Sequence, residues 1–303
     1  MPSTLFGTDI KIRDKVKAKP FLKWAGGKGQ LLAEIESRLP QGIKTGEIDT
    51  YIEPFVGGGA VFFYMAQRYE GIKSFYLFDV NNDLVNCYNT IKNDVESLID
   101  ELRELEGKFH PLEKLERKDF YYRIRDEFNS DRHIAKLIFL NKTCFNGLYR
   151  VNRKNEFNVP SGDYKNPKIC DAENLRNISQ ILQKAEIICA DFEKCDKYID
   201  DKTFVYFDPP YRPLSPTASF TSYSKDDFNE IAQKRLSQFC RHINAKDAKF
   251  LLSNSDPKNE DPNDHFFEDH YKDFTIDRVK ANRMINCKAS RRGQINEILI
   301  VNY

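Results

Sequence analysis

The chain has 303 residues, 40% of them hydrophobic and 31% charged, a balance that excludes a disordered tail protein and leaves room for one large core with an inserted unit. No apolar stretch approaches the roughly 20 residues that span a bilayer, and the opening MPSTLFGTDIKIRDKVKAKP has no apolar signal core, so a cytoplasmic protein with no membrane partner is expected. A net charge of +1 excludes nucleic-acid binding through the field of the whole protein, so any such contact must come from local basic surface.

Seven cysteines are scattered without a Cys-x-x-Cys pair, which suggests reduced structural thiols and neither a disulfide framework nor a metal site. In chain order, FLKWAGGKGQLL comes first. Its glycine-flanked Lys28 looks like part of a phosphate loop, but Gly29 and Gln30 follow it where a Walker motif needs Lys-Ser/Thr, so ATP hydrolysis is not expected. Trp24, read from this stretch alone, is a core residue. TYIEPF then predicts a strand, followed by Gly57, Gly58 and Gly59 and a helix, the place where an α/β sheet lets a ligand approach backbone at a strand end. The next strand, SFYLFDV, ends in Asp79, from which an acid can accept hydrogen bonds from ribose hydroxyls. Together these features suggest an adenosine-containing cofactor.

From about Asn93 to Lys168 the pattern turns helical. In NDVESLIDELRELEG, the residues Val95, Leu98, Ile99, Leu102 and Leu105 share one face, with Asn93 or Asp94 expected as cap and Gly107 as stop. DFYYRIRDEF and HIAKLIFLNK continue the helices, and TCFNGLYRVNRKNEFNVPSGDYKNP reads as a long exposed loop, too aromatic for disorder. The expected organisation is therefore a core of residues 1–92 and 169–303 with a helical insert at 93–168. Further strands are predicted at AEIICADF, TFVYFD and AKFLLSN, and a terminal hairpin at KDFTIDRVKA and INEILIVNY. Strands alternating with helices predict a doubly wound, mostly parallel α/β sheet. The run from Asp277 to Gly293 carries six basic residues against one acid and reads either as a solvated face or as a nucleic-acid contact.

TFVYFDPPYR is the most informative stretch. A buried strand is cut off where Asp208 emerges, before Pro209, Pro210 and Tyr211. Methyl transfer to an exocyclic amine of a nucleobase would explain it. The amine lone pair is delocalised into the ring, and accepting both amine hydrogens localises it. Asp208 supplies one acceptor and the Pro209 carbonyl the other, while the proline pair stiffens the turn. Tyr211 offers a face to a flipped-out base.

FLKWAGGK, EPFVGGG, FNGLYRVNRKNEFNVP and YFDPPY, in this order, resemble the Dam-type adenine-specific DNA methyltransferases, which modify the exocyclic amine of adenine in GATC. The resemblance spans Lys19 to Tyr303. It implies a Rossmann-like methyltransferase core with an inserted target-recognition unit. It places Trp24, Lys28, Phe55, Gly57, Gly58, Gly59, Asp79 and Asp208 around S-adenosylmethionine, with Asp191 and Phe192 flanking its adenine ring. On the DNA side it implies Lys23, a wedge at Phe145, base-edge contacts from Asn146, Leu148 and Arg150, and Pro160 at the end of the loop. Arg291 and Arg292 are expected on phosphates. Asp163 departs from the pattern, since relatives often carry a basic or bulky residue there, and this bears on the outer base pairs. Double-stranded DNA is thus the expected partner. The enzyme would act beside a cognate restriction endonuclease or as an orphan or phage methylase, and needs no stable protein partner. The motif also fits cytosine or RNA methylation, and the fold alone fits a silent DNA-binding regulator.

Overall fold

The computed structural model describes residues 17–212, 228–282 and 294–303. Among them, seven strands form one sheet: β1 (Thr50–Glu53), β2 (Ser74–Asp79), β3 (Ala185–Cys189), β4 (Thr203–Phe207), β5 (Lys249–Ser255), β6 (Thr275–Asn282) and β7 (Gln294–Val301). Their spatial order is β3-β2-β1-β4-β5-β7-β6. The first five pair in parallel, and β7 runs antiparallel between β5 and β6. All five predicted strands and the terminal hairpin are present. The hairpin is wedged so that β7, later in sequence, lies inside β6.

The helices are α1 (Leu32–Ser37), α2 (Gln41–Thr45), α3 (Ala60–Arg68), α4 (Asn82–Asn93), α5 (Val95–Phe109), α6 (Lys114–Asp131), α7 (Ile134–Thr143), α8 (Ala172–Leu182), α9 (Glu230–Ala245) and α10 (Phe266–His270). Strand alternation divides the core into two layers. Tyr51, Phe75, Phe204 and Tyr206 point to the layer of α3, α4 and α8. Ile52, Phe78, Val205 and Phe207 point to the layer of α9 and α10. Every residue of β4 is buried, which is why TFVYF reads as an unbroken apolar run rather than an alternating one.

Between α4 and α8 the chain leaves the sheet. Leu98, Ile99 and Leu102 of α5 are buried as the shared face requires, and Val95 and Leu105 pack at its margin. Gly107 does not stop the helix, which continues to Phe109. Phe109 is buried and packs edge-on against Phe139 of α7 at 5.2 Å. Burying such a ring is worth about 2–3 kcal/mol, which exceeds the roughly 1 kcal/mol cost of a helical glycine. Asp94 occupies the cap position without a side-chain cap bond. Phe109, Tyr121, Phe139 and Phe157 belong to the same apolar cluster as Phe62 and Tyr88, so the core runs unbroken from the sheet into these helices.

The segment read as a long loop is a closed arm. Isolated bridges pair Cys144 with Ser161 and Val151 with Phe157. Asn152 N donates to Glu156 O at 2.9 Å and Asn158 N to Arg150 O at 3.1 Å. Asn155 takes the left-handed turn position at φ 62°, a conformation asparagine tolerates.

Candidate active site

An open cleft of about 1630 Å³ lies at the carboxyl ends of β1, β2 and β4, where doubly wound sheets bind ligands. Its floor is the turn after β1. Gly57 N donates to Asp79 Oδ2 at 3.1 Å and Asn81 N to Asp79 Oδ1 at 2.9 Å, so the acid that ends β2 braces the glycine turn. Burial raises the Asp79 pKa against these bonds. Gly59 has φ +71°, and a Cβ there would come within 2.6 Å of Tyr88 Oη. Tyr88 in turn donates to Gly57 O at 2.9 Å. The turn is thus drawn tight against α4, with room above it for a ligand.

Trp24 lines the cleft and packs at the margin of the core. Its ring stacks on Tyr149 of the arm at 5.2 Å and 30°. Tyr149 donates to Asp83 Oδ2 at 2.7 Å, and Arg132 pairs with the same oxygen at 3.0 Å. At another part of the cleft Phe55, Phe192 and Phe228 form an aromatic group, with ring centroids 5.5 Å apart for Phe55 and Phe192 and 5.3 Å for Phe55 and Phe228. The Arg235 guanidinium lies over Phe192 at 4.6 Å and pairs with Asp191. Val80 and Ile231 leave exposed apolar surface in this lining.

Asp208 emerges from β4 into the same cleft. Lys28, almost fully buried, pairs with Asp208 Oδ1 at 2.7 Å and donates to Gly26 O at 2.7 Å. Ser253 Oγ lies 3.1 Å from the same Oδ1. Burial raises the Asp208 pKa, opposed by the Lys28 charge and by hydrogen bonds from Lys28 and Ser253. Glu53 beneath is buried and accepts from Tyr51 Oη at 2.7 Å, and its pKa is driven well up by desolvation. Tyr211 donates to Glu297 Oε2 at 2.6 Å, and Lys28 Nζ lies 4.6 Å from the Tyr211 ring centre. Pro210 O accepts from the buried Gln233 at 3.0 Å, which fixes the proline turn from α9. Pro209 also lines the cleft.

Lys23, Asn146 and Leu148 extend the lining towards the arm. The buried Asn141 amide accepts from Lys23 N at 2.8 Å and donates to Lys23 O at 2.9 Å and Gly147 O at 3.0 Å. These bonds hold the lysine loop against the turn at Phe145–Gly147. A Cβ on Gly147 would meet Lys23 Cδ at 2.2 Å. Phe145 is 53% exposed, and its N donates to Pro160 O at 2.9 Å. Arg150 Nε donates to Asn158 Oδ1 at 2.7 Å. Asp163 is paired with Lys114 at 2.7 Å, with both side chains exposed. The departure from the expected pattern therefore carries its own counter-charge. Arg291 and Arg292, with most of the basic run, lie outside the described residues.

Sequence reasoning assigned no role to Ser253, Gln233, Glu297, Phe228, Asn141 or Tyr164, whose hydroxyl accepts from Lys23 Nζ at 3.2 Å. The signals that exist are weak. Ser253 is the first polar residue at the end of an apolar strand, and Glu297 is an acid inside INEILIV. Gln233 has none.

The strand order, with a ligand cleft over β1, β2 and β4 and an acid at the end of β4, is that of a Rossmann-like methyltransferase. The profile of the D12 class N6 adenine-specific DNA methyltransferases matches residues 24–285, and the chain belongs to this family. It is 53% identical over 296 residues to the type II methyltransferase M.MjaIII of Methanocaldococcus jannaschii, covering 95% of this chain and all of that one. It is 39% identical to the type II methyltransferase M1.LlaDCHI of Lactococcus lactis, covering 96% and 98%. To the DNA adenine methylase of Haemophilus influenzae it is 34% identical, covering 96% of each. The resemblance read from the motifs is thus borne out, and the chain is an adenine-specific DNA methyltransferase. Among the described residues no helix is long and apolar enough to cross a membrane.

Proposed function

We infer that the enzyme takes its methyl group from S-adenosylmethionine and transfers it to N6 of an adenine flipped out of duplex DNA, within GATC. The carrying observation is that Lys28 and Ser253 both hold Oδ1 of Asp208 in a cleft shared with the glycine turn. The cleft also suits the cofactor chemically. The tight glycine turn leaves space that side chains would fill, the acids Asp79 and Asp191 suit a cationic ligand with ribose hydroxyls, and Phe55, Phe192 and Phe228 suit an adenine ring. Trp24, Lys28, Phe55, the residues Gly57 to Gly59, Asp79, Asp191 and Phe192 would hold S-adenosylmethionine, whose sulfonium supplies an activated methyl.

The chain's own part is positioning. Asp208 and the Pro209 carbonyl accept the two amine hydrogens and so localise the nitrogen lone pair. Tyr211 carries the base on its face. Gln233 holds the Pro210 carbonyl and keeps the turn rigid. Residues 93–168 read the DNA, with Phe145 as wedge, Arg150 at a guanine, Lys23 with Asn146, Leu148 and Tyr164 at base edges, and Pro160 closing the arm. Arg291 and Arg292 contact phosphates. A cognate restriction endonuclease accompanies the enzyme in function without a stable complex, as the type II names of two relatives suggest. The test is transfer of labelled methyl from S-adenosylmethionine to plasmid from a methylation-free host, followed by mapping of N6-methyladenine. Modification at GATC is expected, with a loss of roughly 10³-fold in Asp208→Ala, the scale for removing a preorganised polar group. Methylation at another motif overturns the assignment of the arm, and near-normal turnover by Asp208→Ala overturns that of the acceptor.

A further inference from the structure

Asp208 is gripped by one oxygen. Lys28 Nζ and Ser253 Oγ both converge on Oδ1, and no hydrogen bond to Oδ2 is formed among the described residues. Ser253 is fully buried and lies outside the cleft lining, so it is placed to act through Asp208 and not on a ligand directly. Its oxygen lies 3.0 Å from Tyr206 Oη and 3.3 Å from Phe207 O as well.

A serine hydroxyl has one proton to give, and its direction follows from its neighbours. Tyr206 is fully buried, and a buried hydroxyl without an acceptor is costly. Ser253 Oγ is the partner of Tyr206 Oη among the described residues, so Tyr206 donates to Ser253. The Ser253 proton then has two candidate acceptors, Phe207 O and Asp208 Oδ1. The carboxylate is the nearer, and a charged acceptor binds a hydroxyl about twice as strongly as a neutral one.

We propose that Tyr206 and Ser253 are positioning residues for methyl transfer, a two-hydroxyl relay that joins Lys28 in pinning Oδ1 of Asp208 and thereby leaves Oδ2 to accept a hydrogen of the adenine N6 amine. This rests on the reading of Asp208 as the amine acceptor. The relay runs through the sheet itself: Tyr206 stands on β4, Ser253 on the neighbouring β5, and the Tyr206↔Leu251 and Phe207↔Leu252 pairs bring them side by side. The titratable groups around the Asp208 carboxyl are Lys28 from the loop after Trp24, Tyr51 and Glu53 on β1, Tyr206 on β4 and Tyr211 beyond it, with Glu297 on β7 behind Tyr211. Burial lifts the Asp208 pKa, and the Lys28 charge and the Ser253 hydrogen bond draw it down. Removing the hydroxyl therefore lets it rise, and activity that needs the carboxylate is lost at a higher pH.

The experiment is single-turnover methyl transfer to a duplex carrying the target site, across pH, with binding of S-adenosylmethionine and of the duplex measured separately. Ser253→Ala is expected to slow transfer about 10- to 100-fold, the range for a hydrogen bond to a charged group, with both affinities unchanged and the acid limb moved to higher pH. Ser253→Cys, similar in size and a weaker donor, should fall between. Tyr206→Phe should slow transfer less, and should add nothing in the Ser253→Ala background, because it acts through Ser253. A Ser253→Ala enzyme with the parent rate and acid limb, while Asp208→Ala is inactive, overturns the relay and leaves the acceptor reading intact. An active Asp208→Ala enzyme overturns the acceptor reading itself and the relay with it. Full additivity of the two hydroxyl variants overturns the order of the relay. If Ser253→Ala does not fold, the acid limbs of Ser253→Cys and Tyr206→Phe decide in the same way: a shift supports the relay, and none overturns it.

Discussion

The Tyr211 hydroxyl donates to Glu297 Oε2 at 2.6 Å, a bond that ties the loop after β4 to β7 across 86 residues of sequence. Burial raises the Tyr211 pKa well above its ordinary value, helped by the nearby Asp208 and Glu297 charges. The tyrosine therefore stays neutral and keeps its proton for Glu297. Its ring is fixed at one end by this bond and lies beside the Lys28 ammonium.

Tyr211→Phe keeps the ring and loses the tether, so a fall of about 10-fold in methyl transfer is expected, at the lower end of the roughly 1.5–3 kcal/mol range for a hydrogen bond to a charged group. Glu297→Gln, which keeps an acceptor, should be milder still. Tyr211→Ala removes the stacking face and should be severe, since base–aromatic stacking is worth about 1–3 kcal/mol. Fluorescence of a 2-aminopurine placed at the target adenine separates the cases: base extrusion should survive in Tyr211→Phe and be impaired in Tyr211→Ala.

Gly59 has no room for a methyl group. At φ +71° any other residue is strained, and its Cβ would sit 2.6 Å from Tyr88 Oη. Gly59→Ala should lower the melting temperature and weaken S-adenosylmethionine binding. Tyr88→Phe removes the clashing oxygen, so the double variant should recover part of both losses by calorimetry. An equal loss in both backgrounds would assign the effect to backbone strain alone.

Glu53 makes stability depend on pH. Desolvation holds its carboxyl well above the ordinary 4.5, and Asp208 adds to this, while Tyr51 and Lys28 pull the other way. The folded chain keeps this proton where the unfolded chain releases it. The resulting stability is full below pH 4.5 and is lost as the pH rises through the folded value. Glu53→Gln has no proton to lose, so relative to the parent its melting temperature should rise as the pH is raised from 4.5 towards the folded value and level off above it.

Arg150 is held by Asn158 through both its side-chain oxygen at 2.7 Å and its carbonyl at 3.2 Å. That guanidinium is presented by the arm with little left to order on binding. Arg150→Ala should reduce discrimination at one guanine by about 1–3 kcal/mol and leave S-adenosylmethionine affinity unchanged. Competition between matched and substituted duplexes measures it. Equal weakening of all duplexes would make Arg150 a phosphate contact instead.

The sheet and the acid that ends β4 were legible because each is a local pattern. Runs such as TFVYF end in prolines, and those prolines mark where Asp208 must surface. Ser253, Gln233 and Glu297 were not legible as site residues because each meets its partner through packing of separate elements, 45, 23 and 86 residues away. The Gly107 rule failed for a related reason: a local breaker lost to the distant burial of Phe109. The arm looked irregular because its Asn and Gly residues have weak strand preference, while its closure depends on bridges such as Cys144 to Ser161.

Trp24 is the single tryptophan of the chain, and it faces the cleft while stacking on Tyr149 of the arm. Its emission therefore has one source that touches both the cleft proposed for the cofactor and the arm proposed to read the DNA. Any coupling between the two ligands through that ring is mutual by thermodynamic linkage: whatever factor S-adenosylmethionine applies to DNA affinity, DNA applies to S-adenosylmethionine. Two titrations of the same fluorophore, run in opposite order, close that cycle.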